Sequence, residues 1–110
     1  HELNQKVRFA GIELLLKREI RIDSAKRSIL EFDVRNVLKA PIPSGELSIL
    51  AIRFGRPIPH QVSVFERDEL KSGVTSTGRL IVTGTDLKGA TLLATYREQS
   101  SRISIKGVNR

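Results

Sequence analysis

Few residues in this chain have the chemical character of a catalytic or metal-binding group. His60 is the one histidine away from the amino terminus, and the chain contains no cysteine. A serine triad needs a histidine base, and zinc needs about four Cys, His or carboxylate ligands. His60 follows Pro59, and no Gly-x-Ser-x-Gly segment lies near it. We therefore expect a surface histidine, no metal site, no cofactor and no enzymatic activity.

Two carboxylates share one parity of a predicted strand. Glu31 and Asp33 are separated by one residue, so a strand places both on the same face. Paired carboxylates on one surface are the arrangement that glycoside hydrolysis uses. Arg35 follows on the same face, however, and opposite charges on neighbouring strands commonly pair with each other. We expect an exposed charged face with cross-strand ion pairs rather than a catalytic pair.

The basic residues point to anionic partners. The chain has 19 Lys and Arg against 12 Asp and Glu, which gives a formal net charge of +7. Five basic residues lie near the end of the first predicted hairpin, where they would gather at one end of the sheet and contact phosphates or acidic lipid. These candidate anion contacts are Lys17, Arg18, Arg21, Lys26 and Arg27.

Alternation of period two predicts the central strands. Leu30, Phe32, Val34 and Leu38 share one parity, and the charged residues between them take the other, as in a strand with one buried face. Asp23 to Arg27 is mostly polar, which is typical of a hairpin connection into this strand. The pattern predicts that these four apolar side chains lie in the core.

A second strand, Leu47 to Phe54, is framed by prolines at 41 and 43 and at 57 and 59. Proline denies an amide donor to a ladder, so prolines mark loops and sheet edges. We expect this strand to offer unpaired backbone to an added strand from a partner. The candidate residues at this strand edge are Leu50, Ile52 and Phe54, which face away from Ile49 and Ala51.

The segment from Val7 to Ile22 permits two interpretations. A long strand fits if an extra residue at Ala10-Gly11 forms a bulge that restores one parity to both halves. A helix from Glu13 to Glu19 is the alternative. The longer span favours the bent strand.

About seven short strands separated by turn signals are predicted along the chain, with no βαβ spacing. This pattern is typical of an antiparallel β-sandwich or barrel. The length of 110 residues and the hydrophobic content of 39% fit one domain over residues 1–110. No apolar run approaches the ~20 residues of a transmembrane helix.

The order of features resembles that of the FxLYD and LEA-type Ig-like sandwich domains. The resemblance rests on Val34-Arg35-Asn36, on Leu50 to Phe54, and on Leu70 to Gly73 before Leu80. It implies an Ig-like β-sandwich that serves as a non-catalytic accessory domain, often outside the cytoplasm. It implies no shared active-site residues.

These observations favour a protein-binding or structural module with a basic surface. The alternative is an OB-type β-barrel that binds nucleic acid, since the surface charge would suit phosphates. Single-strand binding usually adds aromatic residues that stack on bases. Aromatic residues make up only 5% of this chain. We therefore expect a protein partner first, and nucleic acid or another anionic surface second.

Overall fold

The computed structural model describes residues 2–105, which excludes His1 and residues 106–110 of the predicted domain. Two helical turns of 3-10 type interrupt the strands, at Asp23–Ala25 and Ser44–Glu46. The strands are β1 (Glu2–Phe9), β2 (Ile12–Ile22), β3 (Arg27–Asn36), β4 (Ile42–Pro43), β5 (Leu47–Arg53), β6 (Arg56–Pro57), β7 (Gln61–Phe65), β8 (Glu69–Leu70), β9 (Thr75–Thr83), β10 (Thr91–Tyr96) and β11 (Gln99–Ser104).

The strands form two main sheets. One has five strands in the order β1-β2-β3-β9-β7, and the other has four in the order β11-β10-β5-β6. A small pair, β4 with β8, stands apart from them. Every ladder between described strands is antiparallel. The predicted all-β antiparallel class is therefore confirmed, while an Ig-like sandwich of about seven strands stays a prediction.

The core lies between the inner faces of these sheets. Leu30, Phe32 and Val34 of β3 are fully buried, as the alternation predicts. The prediction is wrong for Leu38, which lies beyond the end of β3 and is 38% exposed. Phe32 meets Phe65 edge to face, with ring centroids 5.9 Å apart. Opposite Phe32 the chain has Gly78, where a Cβ atom would lie 2.5 Å from the Phe32 ring. Only glycine fits there without moving the ring.

The start of the chain differs from both sequence interpretations. Ala10 and Gly11 have φ of 50° and 79°, which are the left-handed values that two-residue hairpin turns require. They end β1 and start β2, and Phe9 pairs with Ile12 across the turn. The long bent strand is thus wrong, because the parity change is a chain reversal and not a bulge. The helix from Glu13 to Glu19 is wrong as well, since that segment lies within β2.

A register shift within β2 sets which side chains reach the surface. Leu16 pairs with Phe32, but Arg18 pairs with the next residue, Glu31, so Lys17 is the extra residue of a bulge. Beyond the bulge, Ile20 pairs with Ile29 and faces outward. The bulge therefore moves an isoleucine onto the outer face of the five-stranded sheet.

Side chains join the two sheets where β7 approaches β5. The Gln61 side chain accepts a hydrogen bond from the Ala51 amide at 2.7 Å and donates to the Ala51 carbonyl at 2.8 Å. Ser63 donates to the Ile49 carbonyl. These bonds satisfy backbone groups of β5 that no strand pairs with.

Candidate protein-binding face

An apolar row crosses four strands on the outer face of the five-stranded sheet. In register it consists of Ile20, Ile29, Ile81 and Val62. Ile20 is 37% exposed and Val62 is 53% exposed, while Ile29 and Ile81 are half-buried. Val64, 49% exposed, extends the row along β7. We call these five residues the apolar row.

Local sequence explains the row. β-Branched side chains pack well on a pleated surface and have few rotamers to lose when a partner covers them. Ile29 and Ile81 come from regular alternation in β3 and β9, where Leu30 and Leu80 point to the core. Ile20 joins them only because the Lys17 bulge changes the parity of β2. The row thus depends on both alternation and the bulge.

A charged row runs beside the apolar row. Glu31 accepts a hydrogen bond from Arg18 and lies 3.5 Å from Arg79, measured from Oε2 to Nε. The hydrogen bond from Arg18 lowers the pKa of Glu31 below its ordinary value, and the positive charges of Arg18 and Arg79 act in the same direction against the effect of burial. Glu31 is therefore ionised at neutral pH and holds both guanidinium groups on the surface.

Further ion pairs continue across this face. Lys17 Nζ lies 3.9 Å from Asp33 Oδ2. Glu13 bonds with Arg8 and lies 3.6 Å from Arg35, and the Arg8 hydrogen bond lowers the pKa of Glu13. The expected cross-strand ion pairs around Glu31 and Asp33 are thus confirmed. They hold the carboxylates in salt bridges with basic side chains.

The face keeps an excess of positive charge despite these pairs. Counted over the strand positions of this face from residue 3 onward, it carries three acidic side chains and seven basic ones. The acidic residues are Glu13, Glu31 and Asp33; the basic ones are Lys6, Arg8, Lys17, Arg18, Arg27, Arg35 and Arg79. Such a field favours a partner of opposite sign.

The structure separates the five candidate anion contacts into two groups. Lys17 and Arg18 lie within the ion pairs of the outer face. Arg21, Lys26 and Arg27 line a cleft of about 220 Å³ at one end of the sheet, together with Asp23 and Asp86. The expected gathering at one end thus holds for three of the five, while their contact with anions stays a prediction.

The strand-edge candidates lie in different environments. Leu50 pairs with Leu93 of β10, and Ile52 is buried and pairs with both Thr91 and Pro57. Phe54 follows β5 in the turn to β6 and is 96% exposed. β5 is bordered by β10 on one side and by β6 and Gln61 on the other. Strand addition at β5 stays a prediction, and a partner strand would have to displace these neighbours.

His60 lies in an exposed turn with φ of 58°, and its carbonyl accepts a hydrogen bond from the Thr83 amide. No group of three or more His, Cys, Asp or Glu within residues 2–105 is placed to hold a metal ion. Neither helical turn in the described part of the chain has the length or apolar character needed to cross a membrane.

Sequence reasoning missed the apolar row. Ile29 and Ile81 were visible as the aliphatic residues on the outward parity of two core strands, which is an unusual place for isoleucine in a half-exposed strand. Their alignment with Ile20 and Val62 depends on strand order and on the bulge, and no local pattern contains that information.

No protein-family model, curated protein or solved structure matches this chain. The resemblance to FxLYD and LEA-type domains stays a prediction.

Proposed function

We propose that this domain is a non-catalytic protein-binding module, and that a folded protein docks on the outer face of the five-stranded sheet. The observation that carries the proposal is the apolar row, which no other element of the described chain covers. Exposed apolar side chains that lie side by side within a polar rim commonly mark interaction sites, whereas single exposed apolar residues are ordinary.

The chemistry of the partner follows from the rim. An apolar patch on the partner would cover the row, and acidic side chains around that patch would meet the excess of basic residues. Arg18 and Arg79 are held in place by Glu31, so they lose little freedom when they contact a carboxylate. We infer a partner whose docking surface is apolar at its centre and acidic at its edge.

Substitutions at Val62 test both parts of this inference. Proteins retained by the immobilised domain would be purified, and each would be titrated against the domain by calorimetry. Val62→Glu removes apolar contact and repels an acidic rim, so we expect the Kd to rise by about 30-fold. Val62→Lys removes the same contact but attracts the rim, so we expect a rise of only about fivefold.

Ser48→Glu is the matched control. It adds the same charge on an exposed position of the other sheet, and the Kd should stay within about twofold. Thermal unfolding would verify that all three variants fold. The proposal fails if Val62→Glu and Ser48→Glu affect a purified partner equally, or if the two Val62 variants do not differ.

The nucleic-acid alternative predicts a different result. A single-stranded oligonucleotide would bind at low salt, lose affinity steeply as salt rises, and be released by Lys26→Glu with Arg27→Glu. Binding of that kind, unaffected by Val62→Glu, would favour the OB-type alternative over a protein partner.

A further inference from the structure

Three loops meet at one end of the molecule, next to the apolar row, and Arg27 belongs both to this end and to the outer face that carries the row. The Gly84 amide donates to the Lys26 carbonyl at 2.7 Å, which joins the β9–β10 loop to the β2–β3 turn. Asp86 of the first loop lies 3.9 Å from Arg21 and 3.7 Å from Arg53. Segments 21–27, 53–60 and 83–90 therefore form one surface, which we call the cationic end.

The cationic end is strongly basic. It contains two acidic residues, Asp23 and Asp86, and six basic ones. Asp86 already forms ion pairs with two arginines. The six are Arg21, Lys26, Arg27, Arg53, Arg56 and Lys88. Within residues 2–105, only Arg21 and Arg53 of these six form ion pairs. The other four basic side chains are exposed and have no acidic partner in this part of the chain.

Phe54 projects from the 53–60 segment of this surface. Phe54 and Gly55 have φ of 54° and 76° and form the turn between the paired residues Arg53 and Arg56. Such turns favour Asn, Asp or Gly at the first position, and a phenylalanine there adopts a disfavoured backbone conformation. A Cβ atom placed on Gly55 would meet nothing within 4 Å, so the apex stands in open space. The chain thus places its most exposed aromatic side chain, at 96%, where folding does not need it.

We propose that the cationic end docks on an anionic phospholipid membrane, with Phe54 inserted at the level of the headgroups and the basic side chains against lipid phosphates. The Phe54 ring projects into solvent, and a lipid bilayer can deform to surround an inserted aromatic ring. Clustered basic residues are attracted to the negative potential of such a surface.

A membrane fits this surface better than a nucleic acid does. Non-specific binding of single strands uses several aromatic platforms in succession. Of the other four aromatic residues, Phe32 and Tyr96 are buried, and Phe9 and Phe65 pack against the core. The cationic end therefore offers one platform only.

Vesicle sedimentation tests the proposal on the full chain. The unmodified protein should sediment with phosphatidylcholine vesicles that contain phosphatidylserine and stay in solution with phosphatidylcholine alone. Phe54→Asn suits the turn better and should keep or raise the unfolding temperature, yet it should lower the partition coefficient about tenfold. Lys26→Gln with Arg56→Gln should lower that coefficient about 25-fold.

Lys39→Gln with Lys71→Gln is the matched control, because it removes the same charge from exposed positions at the opposite end. It should change partition by less than about threefold. Equal effects of the two double variants, or sedimentation that survives Phe54→Asn unchanged, would overturn the proposal.

Fluorescence can test whether the turn at Phe54 enters the bilayer. The chain has no tryptophan, so Phe54→Trp introduces a single emitting indole. Its emission should shift to the blue on phosphatidylserine vesicles and be quenched by brominated acyl chains. Quenching by a single-stranded oligonucleotide, without a response to vesicles, would assign the surface to nucleic acid instead. Neither result depends on Val62, so failure here leaves the proposed protein-binding face untouched.

Discussion

The two sheets share one core but present different outer faces. The five-stranded sheet has an apolar row and, at its strand positions from residue 3 onward, ten charged side chains on its outer face. The outer positions of β5, β10 and β11 in the four-stranded sheet carry one charged side chain, Arg102, among mostly Ser, Thr and Leu. Those nine positions are Ser48, Leu50, Ile52, Thr91, Leu93, Thr95, Ser100, Arg102 and Ser104.

This difference distinguishes the inner residues that folding requires from the outer residues that are available for binding. Alternating inner residues are enough to join two antiparallel sheets, and either outer face would then tolerate short polar side chains. A face with seven basic residues, paired carboxylates and an aligned row of β-branched residues exceeds what solubility requires. This difference is why the proposed binding face is that of the five-stranded sheet.

The largest expected effect is on the free energy of unfolding, and it should differ between the inner and outer faces of that sheet. Phe32→Ala removes a fully buried ring and should lower the free energy of unfolding by about 3–5 kcal/mol. Val62→Ala truncates a side chain that faces solvent and should cost less than about 0.5 kcal/mol. Urea unfolding measures both. A large cost for Val62→Ala would mean that the apolar row supports the fold and is not free for a partner.

A smaller effect concerns the contact that holds β7, the strand that carries Val62 and Val64, against β5. Gln61→Ala removes the partner of the Ala51 amide, and Ala51 is fully buried. An unsatisfied buried donor should cost about 1–3 kcal/mol and speed hydrogen exchange in β7 more than in β10.

Gln99→Ala is the control for Gln61→Ala, because Gln99 is an exposed residue of β11. It should change stability by less than about 0.5 kcal/mol. If the two glutamine variants unfold at the same urea concentration, side-chain bonds do not secure the edge of the five-stranded sheet.

The smallest effect is a dependence on pH that only the charged face should show. Glu31 and Glu13 have pKa values lowered in the folded state from an ordinary value of 4.5. The unfolded chain therefore takes up protons first as the pH falls. The stability that these carboxylates contribute is present above about pH 4.5 and is lost as the pH falls through their folded-state pKa values.

Glu31→Gln should lower stability at neutral pH by less than about 1 kcal/mol and flatten its decline in acid. Arg102→Gln on the other sheet should leave the acid profile as it is. The unfolding free energy of both variants would be measured from pH 7 down to about pH 3, and the two pH profiles would be compared. An unchanged decline in Glu31→Gln would show that Glu31 does not contribute to it.

The sequence predicted those structural elements that a short stretch of neighbouring residues is enough to indicate. Leu30, Phe32 and Val34 alternate strictly with charged residues, so their burial followed from parity alone. The polar turn from Asp23 to Arg27 likewise contained its own signal, and the hairpin it joins is observed. The all-β class followed from such segments.

The parts that sequence reasoning missed depend on residues far apart in the chain. The Ala10-Gly11 turn was read as a bulge because both features change parity, and only the pairing of Phe9 with Ile12 separates them. Phe54 was grouped with Leu50 and Ile52 by parity, although the following Gly55 permits a turn that ends the strand. The apolar row needs four strands in register and could not be read from any one of them.

Chemical-shift mapping tests the central claim most directly. The isotopically labelled domain would be titrated with a purified partner, and the shifted amides would be located on the two sheets. The proposed function predicts shifts centred on Ile20, Ile29, Ile81 and Val62. Shifts centred on Ser48, Thr95 and Arg102, with the apolar row unchanged, would contradict it.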